Sequence, residues 1–169
     1  DYIKAEGMAG RMGTKLMAVV AEGKKGRIYL SPMQEMEEIA QSVIPGWKPE
    51  QELPNDPRNF WTVTYGLKTF GSLFTNRQLV ALTTFSDLVQ EARKKAYQDS
   101  IKSGVIDDKK YLRDAEAYAD AIATYLAFAV DKLADYNSSI CSWHSGRDTI
   151  RNTFGRQAIP MTWDYAEIN

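Results

Sequence analysis

A mainly α fold with a small β-hairpin near the N-terminus, scaffolded by a long antiparallel helical hairpin, follows from three features of this 169-residue sequence. Thr75 and Gln78 have the spacing of a capping box, ahead of a long stretch whose apolar residues recur every three or four positions. A second stretch of matching length, Tyr111 to Leu133, repeats that period after a short connection, the pattern of two antiparallel neighbours. Two runs rich in β-branched and aromatic residues flank Gly23-Lys24-Lys25-Gly26, a turn with a glycine at either end. With 44% apolar and 25% charged residues, the composition supports a single globular domain with its own core.

Residues 1–30 read as a linker followed by the β-hairpin. Gly7, Gly10 and Gly13 are spaced like part of a phosphate-cradling loop, but they precede a strand, whereas such a loop must open a helix. Leu16 to Glu22 and Arg27 to Leu30 are the expected strands. Residues 31–44 read as a helix over Pro32 to Val43, with Ser31 as N-cap, Pro32 in the first position, Gln34 as capping partner and a Met33, Met36, Ala40, Val43 stripe in the core.

Residues 45–74 hold Pro45, Pro49, Pro54 and Pro57 and form an aromatic loop with little regular structure. Its Trp47, Phe60, Trp61, Tyr65, Phe70 and Phe74 either pack over the core or stack on unpaired bases.

Residues 75–136 are the helical hairpin. Leu79, Leu82, Phe85, Val89, Ala92 and Ala96 make one buried stripe on a first helix of about seven turns. A break at Ser103-Gly104 and an N-cap at Asp107-Asp108 start the second. That helix carries Tyr111, Ala115, Tyr118, Ala119, Ile122 and Tyr125, then Leu126, Ala129, Val130 and Leu133, an apolar face broad enough to be covered on more than one side.

Residues 137–169 are a polar C-terminal segment with Arg147, Arg151 and Arg156 spaced four and five apart. Arg147 and Arg151 are expected on one helix face, where planar guanidinium groups clamp phosphates and Asn152, Thr153 and Gln157 add hydrogen bonds. The competing expectation pairs these arginines with Asp148, Asp164 or Glu167.

No catalytic constellation emerges. His144 follows the single cysteine, Cys141, by three residues; two ligands do not fill a tetrahedral zinc site, and no third group orients a Cys-His nucleophile. Asp164 and Glu167, on an expected helical turn, resemble a carboxylate pair by spacing alone. One cysteine excludes an intramolecular disulfide and suits a reducing compartment, so a cytoplasmic location is expected. No apolar run reaches the roughly 20 residues that span a bilayer, and no membrane partner is expected. The formal net charge of -1 advertises no global field for nucleic acid. Basic residues outnumber acidic ones six to three in both Asp1–Leu30 and Trp61–Ser103, and the stretches Ser31–Phe60 and Gly104–Asn137 are acidic. Solvated helix faces are the plain reading of that alternation. The chain starts at Asp1 without methionine and stops at Asn169 without a polar tail, which reads as a piece of something longer.

Three blocks, AGRMGTKLMAVVAEGKKGRIYLSP, ELPNDPRNFWTVTYGLKTFGSLFTNRQLVALTTFSDLV and RDTIRNTFGRQAIPMTWDYAEIN, together resemble the interior of the large bacterial and archaeal adenine-specific DNA methylases that contain a zinc ribbon. In those proteins, the resemblance implies, the ribbon and the S-adenosylmethionine-binding loop precede this segment, and a catalytic Asp-Pro-Pro-Tyr motif follows it. Neither motif occurs here, so no cofactor is expected in this segment, which by itself methylates nothing. Asn76 stands where the family pattern has proline at the first helical position.

The order of motifs implies an internal, non-catalytic domain that helps to position DNA beside a catalytic site built by the rest of the methylase chain, the flipped adenine being read elsewhere. Arg147, Arg151 and Arg156 are the expected backbone contacts, with Lys68 and Arg77 as lesser candidates. The alternative is a structural or partner-docking insert that touches no nucleic acid.

Overall fold

The computed structural model describes residues 1–103 and 109–168. The connection 104–108, with the Gly104 break and Asp107-Asp108 cap expected there, lies outside the described residues, as does Asn169. The fold is mainly helical with a small antiparallel hairpin near the N-terminus and two packed long helices. It divides into two compact units, the first of residues 1–80 and 156–163 and the second of residues 81–155 and 164–169.

The first unit opens with a helix, α1 (Tyr2–Met8), where only a linker was expected. Gly7 lets this helix pass closely against the short 3₁₀ helix Trp61–Tyr65. A Cβ on Gly7 would collide with the Tyr65 carbonyl, and one on Gly66, whose φ is +91°, would collide with the Gly7 carbonyl. Two glycines distant in sequence thus share one close approach.

The hairpin forms as expected from β1 (Val19–Gly23) and β2 (Gly26–Leu30), in register Val19↔Leu30 to Gly23↔Gly26, with Lys24-Lys25 as the turn. The helix after it, α2 (Gln34–Ser42), starts two residues later than expected. Met33, in extended conformation, is the N-cap, without a side-chain capping bond. Ser31 is not the cap, because residues 31–33 lie outside the helix and Met33, the last of them, is in extended conformation. Gln34 donates to Glu38 (2.6 Å) instead of reaching back. The stripe expected in the core is not there: no residue of α2 is buried, and Met33 and Met36 are exposed.

The proline-rich loop does pack. Backbone bonds tie Leu53 N–H to Lys68 O (2.7 Å) and Phe70 N–H to Gln51 O (2.9 Å), and a 3₁₀ helix, Phe70–Leu73, is held by a reciprocal Thr69–Ser72 capping box. Leu53, Leu73, Leu79 and Ile159 form this unit's buried apolar set, with Thr62 among them. The chain returns at 156–163, where Ile159 bridges Phe60 and Trp163 meets the Tyr65 ring edge-on at 5.1 Å.

The third helix, α3 (Asn76–Ser103), begins where the sequence places it. Thr75 N–H donates to Gln78 Oε1 (2.9 Å) and Gln78 N–H to Thr75 Oγ1 (3.3 Å), so the capping box is complete with Asn76 as the first helical residue. In the second unit α3 packs against α4 (Lys109–Tyr136). Arg93 Nε meets Asp120 Oδ1 (2.6 Å), and the Tyr111 hydroxyl donates to the Ser100 carbonyl, so the pairing runs antiparallel.

Val89, Ala115 and Ala119 are the buried residues of this seam. Alanines let the two backbones approach closely, so little side-chain volume is enclosed. Phe85 of the expected buried stripe is exposed, and so are Tyr118, Tyr125 and Leu126 of the broad face on α4. Two helices alone cover one side of each other, which leaves the other side bare.

Candidate nucleic-acid interface

After α4 the chain does not continue as helix. Trp143–His144 (β3) and Thr149–Ile150 (β4) pair antiparallel in the register Trp143↔Ile150 and His144↔Thr149. Arg147 therefore lies in the turn and Arg151 directly after β4, on a β-hairpin and not on the helix face expected for them. The local cause is turn chemistry. Ser145-Gly146 and Asp148 favour a reversal, Asp148 takes up a left-handed φ of 47°, and β-branched Thr149 and Ile150 then prefer extended backbone. Arg147 N–H donates to His144 O (3.0 Å) and Arg151 N–H to Ser142 O (2.9 Å), so backbone bonds fix both arginine positions. Both side chains are exposed. Among the described residues neither joins an ion pair, so the expected quenching by nearby carboxylates is not seen at these two arginines.

A buried polar clip holds this hairpin to the end of α4. Asp135 accepts from Asn152 Nδ2 (2.9 Å) and Phe154 N–H (2.9 Å) through its carboxylate, while its carbonyl accepts from Thr153 N–H (2.7 Å) and the Thr153 hydroxyl (2.8 Å). The Thr153 hydroxyl also meets Ser138 Oγ (2.7 Å) and Cys141 Sγ (3.2 Å), both fully buried. Here Cys141 is a packing and hydrogen-bonding group inside the clip, with no imidazole among its bonded neighbours. Asp135 carries no local sequence signal that marks it as an anchor. Its partners lie 17 to 19 residues further along the chain, and no periodic pattern links them.

The remaining candidates are in the first unit. Arg156 is exposed at the start of the returning segment 156–163, and Lys68 is exposed beside the Leu53 backbone bond. Arg77, the second residue of α3, is half-buried and already engaged with other groups. Hence the structure brings Arg147 and Arg151 together on one hairpin and places Arg156, Lys68 and Arg77 in the other unit. Asp164 and Glu167 lie on irregular chain, not on a helical turn.

Among the described residues no cluster of three or more His, Cys, Asp or Glu side chains is placed to hold a metal ion. No helix among them is long and apolar enough to cross a membrane. Gly10 and Gly13 follow α1 and lead toward β1, so no helix N-terminus stands behind them to receive a cofactor phosphate or carboxylate. The chain matches no family model, no curated protein and no solved structure.

Proposed function

We propose that this chain is an internal, non-catalytic domain of an S-adenosylmethionine-dependent adenine-specific DNA methyltransferase, acting in the cytoplasm and helping to position DNA beside a catalytic site built by flanking sequence. The resemblance of the three sequence blocks motivates the reading. The observation that carries its DNA contact is the pair Arg147 and Arg151, exposed on a short hairpin whose backbone is tied at both arginines and clipped to α4. A guanidinium on fixed backbone donates to phosphate oxygens without the main chain having to be ordered first, and such contacts set register on a duplex without reading its sequence. Arg156, Lys68 and Arg77 are the further candidates for backbone contact. The resemblance puts the S-adenosylmethionine cofactor in the flanking sequence of the parent protein.

Duplex binding measured over a range of salt tests this. Replacing Arg147 and Arg151 by alanine lowers affinity for any sequence and flattens the plot of log affinity against log salt by about one unit for each phosphate left unneutralised. An unchanged slope refutes the proposal. Trp47 and Trp61, exposed at 63% and 55%, favour a second reading, a structural or partner-docking insert. Under that reading the same substitutions leave DNA affinity where it was.

A further inference from the structure

The bare side of the α3–α4 pair carries its own pattern. On α4, Asp114, Tyr118, Ala121, Tyr125, Phe128 and Lys132 follow one another at spacings of four and three. This is a second heptad stripe, one residue out of phase with the seam through Ala115, Ala119 and Ile122. The seam is dry and the second stripe is wet: Ala119 is 0% exposed and Tyr125 is 77% exposed. On α3 the same spacing runs through Ala81, Phe85, Leu88 and Ala92, and Phe85 and Leu88 are exposed. Both stripes face the same way, since Ala92 and Lys95 of α3 and Tyr118 of α4 line a single shallow groove. The pairing of Arg93 with Asp120 sets the level of the helices, which places Phe85 near Phe128 and Leu88 near Tyr125. A two-helix layer therefore presents a row of large apolar and aromatic side chains to solvent, arranged as a coiled-coil seam is arranged.

We propose that a second copy of this chain covers this face, stacking antiparallel on the first to make a four-helix bundle. The charges at the ends of the stripe favour that occupant and that direction. Asp114 sits at one end of the α4 stripe and Lys132 at the other. A two-fold axis lying in the interface, perpendicular to the helices, lays α4 on the partner's α4 with the ends exchanged. Lys132 of each copy then faces the partner's Asp114, Phe128 faces the partner's Tyr118, and Tyr125 faces the partner's Ala121, large against small.

The same register on α3 sets Leu88 over the partner's Ala92, and Phe85 over the aliphatic stem of the partner's Lys95, whose ammonium is held by Asp99 at 3.0 Å. The other two-fold stacking, with like ends together, places the partner's Asp99 over Asp114 and leaves Lys132 facing apolar residues, so charge selects against it. Lys132 is loosely engaged in the free chain, at 3.9 Å from Asp135 and 4.6 Å from the centre of the Tyr136 ring, and is free to swing to a better acceptor. The contact is isologous, so it closes at two copies. This inference does not rest on the DNA reading: its observations are the exposed stripes of α3 and α4 and the charges at their ends.

Sedimentation equilibrium of the whole chain over micromolar to near-millimolar concentration tests it. A reversible species of twice the 19.1 kDa chain mass is expected. Asp114→Lys and Lys132→Asp each weaken association roughly tenfold or more, because each sets like charges face to face. Mixing the two single variants restores a dimer, since each then supplies the charge the other lacks, and the double variant D114K/K132D dimerises on its own. All these positions are solvent-exposed, so circular dichroism of every variant keeps the parent helicity. Tyr125→Glu leaves a folded monomer. A chain that stays monomeric throughout the range overturns the proposal, whether the face then meets another protein or nothing. So does a dimer that both charge reversals leave unaffected, or one that the mixture of single variants does not restore.

Discussion

Replacing Thr153 by valine tests whether the clip at the end of α4 holds the arginine hairpin. The substitution keeps the branched shape of a side chain that is 3% exposed and removes only its hydroxyl. That hydroxyl donates to Asp135 O at 2.8 Å and lies 2.7 Å from Ser138 Oγ and 3.2 Å from Cys141 Sγ. Losing one intramolecular hydrogen bond costs about 1 kcal/mol, and a buried partner deprived of its bond costs about 1–3 kcal/mol. Ser138 is the group deprived here. Its oxygen still accepts from Ile140 N–H (3.1 Å), but its shortest side-chain hydrogen bond is gone. A loss of about 2–3 kcal/mol follows, a large share of the roughly 5–15 kcal/mol that keeps a domain folded.

With a urea dependence of about 2 kcal/mol per molar, the midpoint for this unit falls by about 1 M. Hydrogen exchange at the Thr153 and Phe154 amides, which bond to Asp135 O and Oδ1, should speed up before exchange in the middle of α4 does. Thr153→Ser is the control: it keeps the hydroxyl and removes a methyl group worth about 1 kcal/mol. The expected order of stability is parent, then serine, then valine. A valine variant as stable as the serine one refutes the reasoning, because packing and not hydrogen bonding would then hold the segment.

Three further outcomes follow from the first unit. Thr75→Ala removes the acceptor for Gln78 N–H and should cost about 1 kcal/mol, with faster amide exchange confined to the first turn of α3. Gly66→Ala adds a Cβ at φ +91° directly against the Gly7 backbone, and α1 should detach, read as loss of amide protection over residues 2–8. The Glu37 carboxylate, bonded first by Lys15 Nζ (2.9 Å) and then by Leu16 N–H (2.6 Å), titrates below its ordinary value. A folded pKa below the unfolded one means that this interaction stabilises fully above the ordinary carboxylate range and disappears as pH falls through the folded value. Observation of Glu37 by NMR should show that depressed titration, and Glu37→Gln should flatten the acid limb of stability against pH.

The parts of the fold legible in the sequence are those set by neighbours in the chain. Thr75 and Gln78 lie three positions apart and cap α3, and Gly23 with Gly26 closes the β1–β2 hairpin, because turn and cap chemistry act over four residues. The two long helices were legible from their period. What their period did not reveal was how much of it stays uncovered, since the same three-four spacing describes Ala119 in the seam and Tyr125 in solvent.

Helix α1 was not legible, because its close approach depends on Gly66, fifty-nine positions beyond Gly7. At the candidate site the residue types were legible and their setting was not. A spacing of four between Arg147 and Arg151 fits one helix face, yet the intervening Asp148, Thr149 and Ile150 prefer turn and strand and decide the matter.

We propose that duplex DNA meets this chain at the β3–β4 hairpin. The most direct measurement is amide chemical-shift mapping while a short duplex is added at low salt. Perturbations concentrated on residues 142–151, fading as salt rises and absent from the Arg147→Ala, Arg151→Ala variant, are predicted. Shifts that leave the hairpin silent and gather at Trp47 and Trp61, or no shifts at all, contradict it.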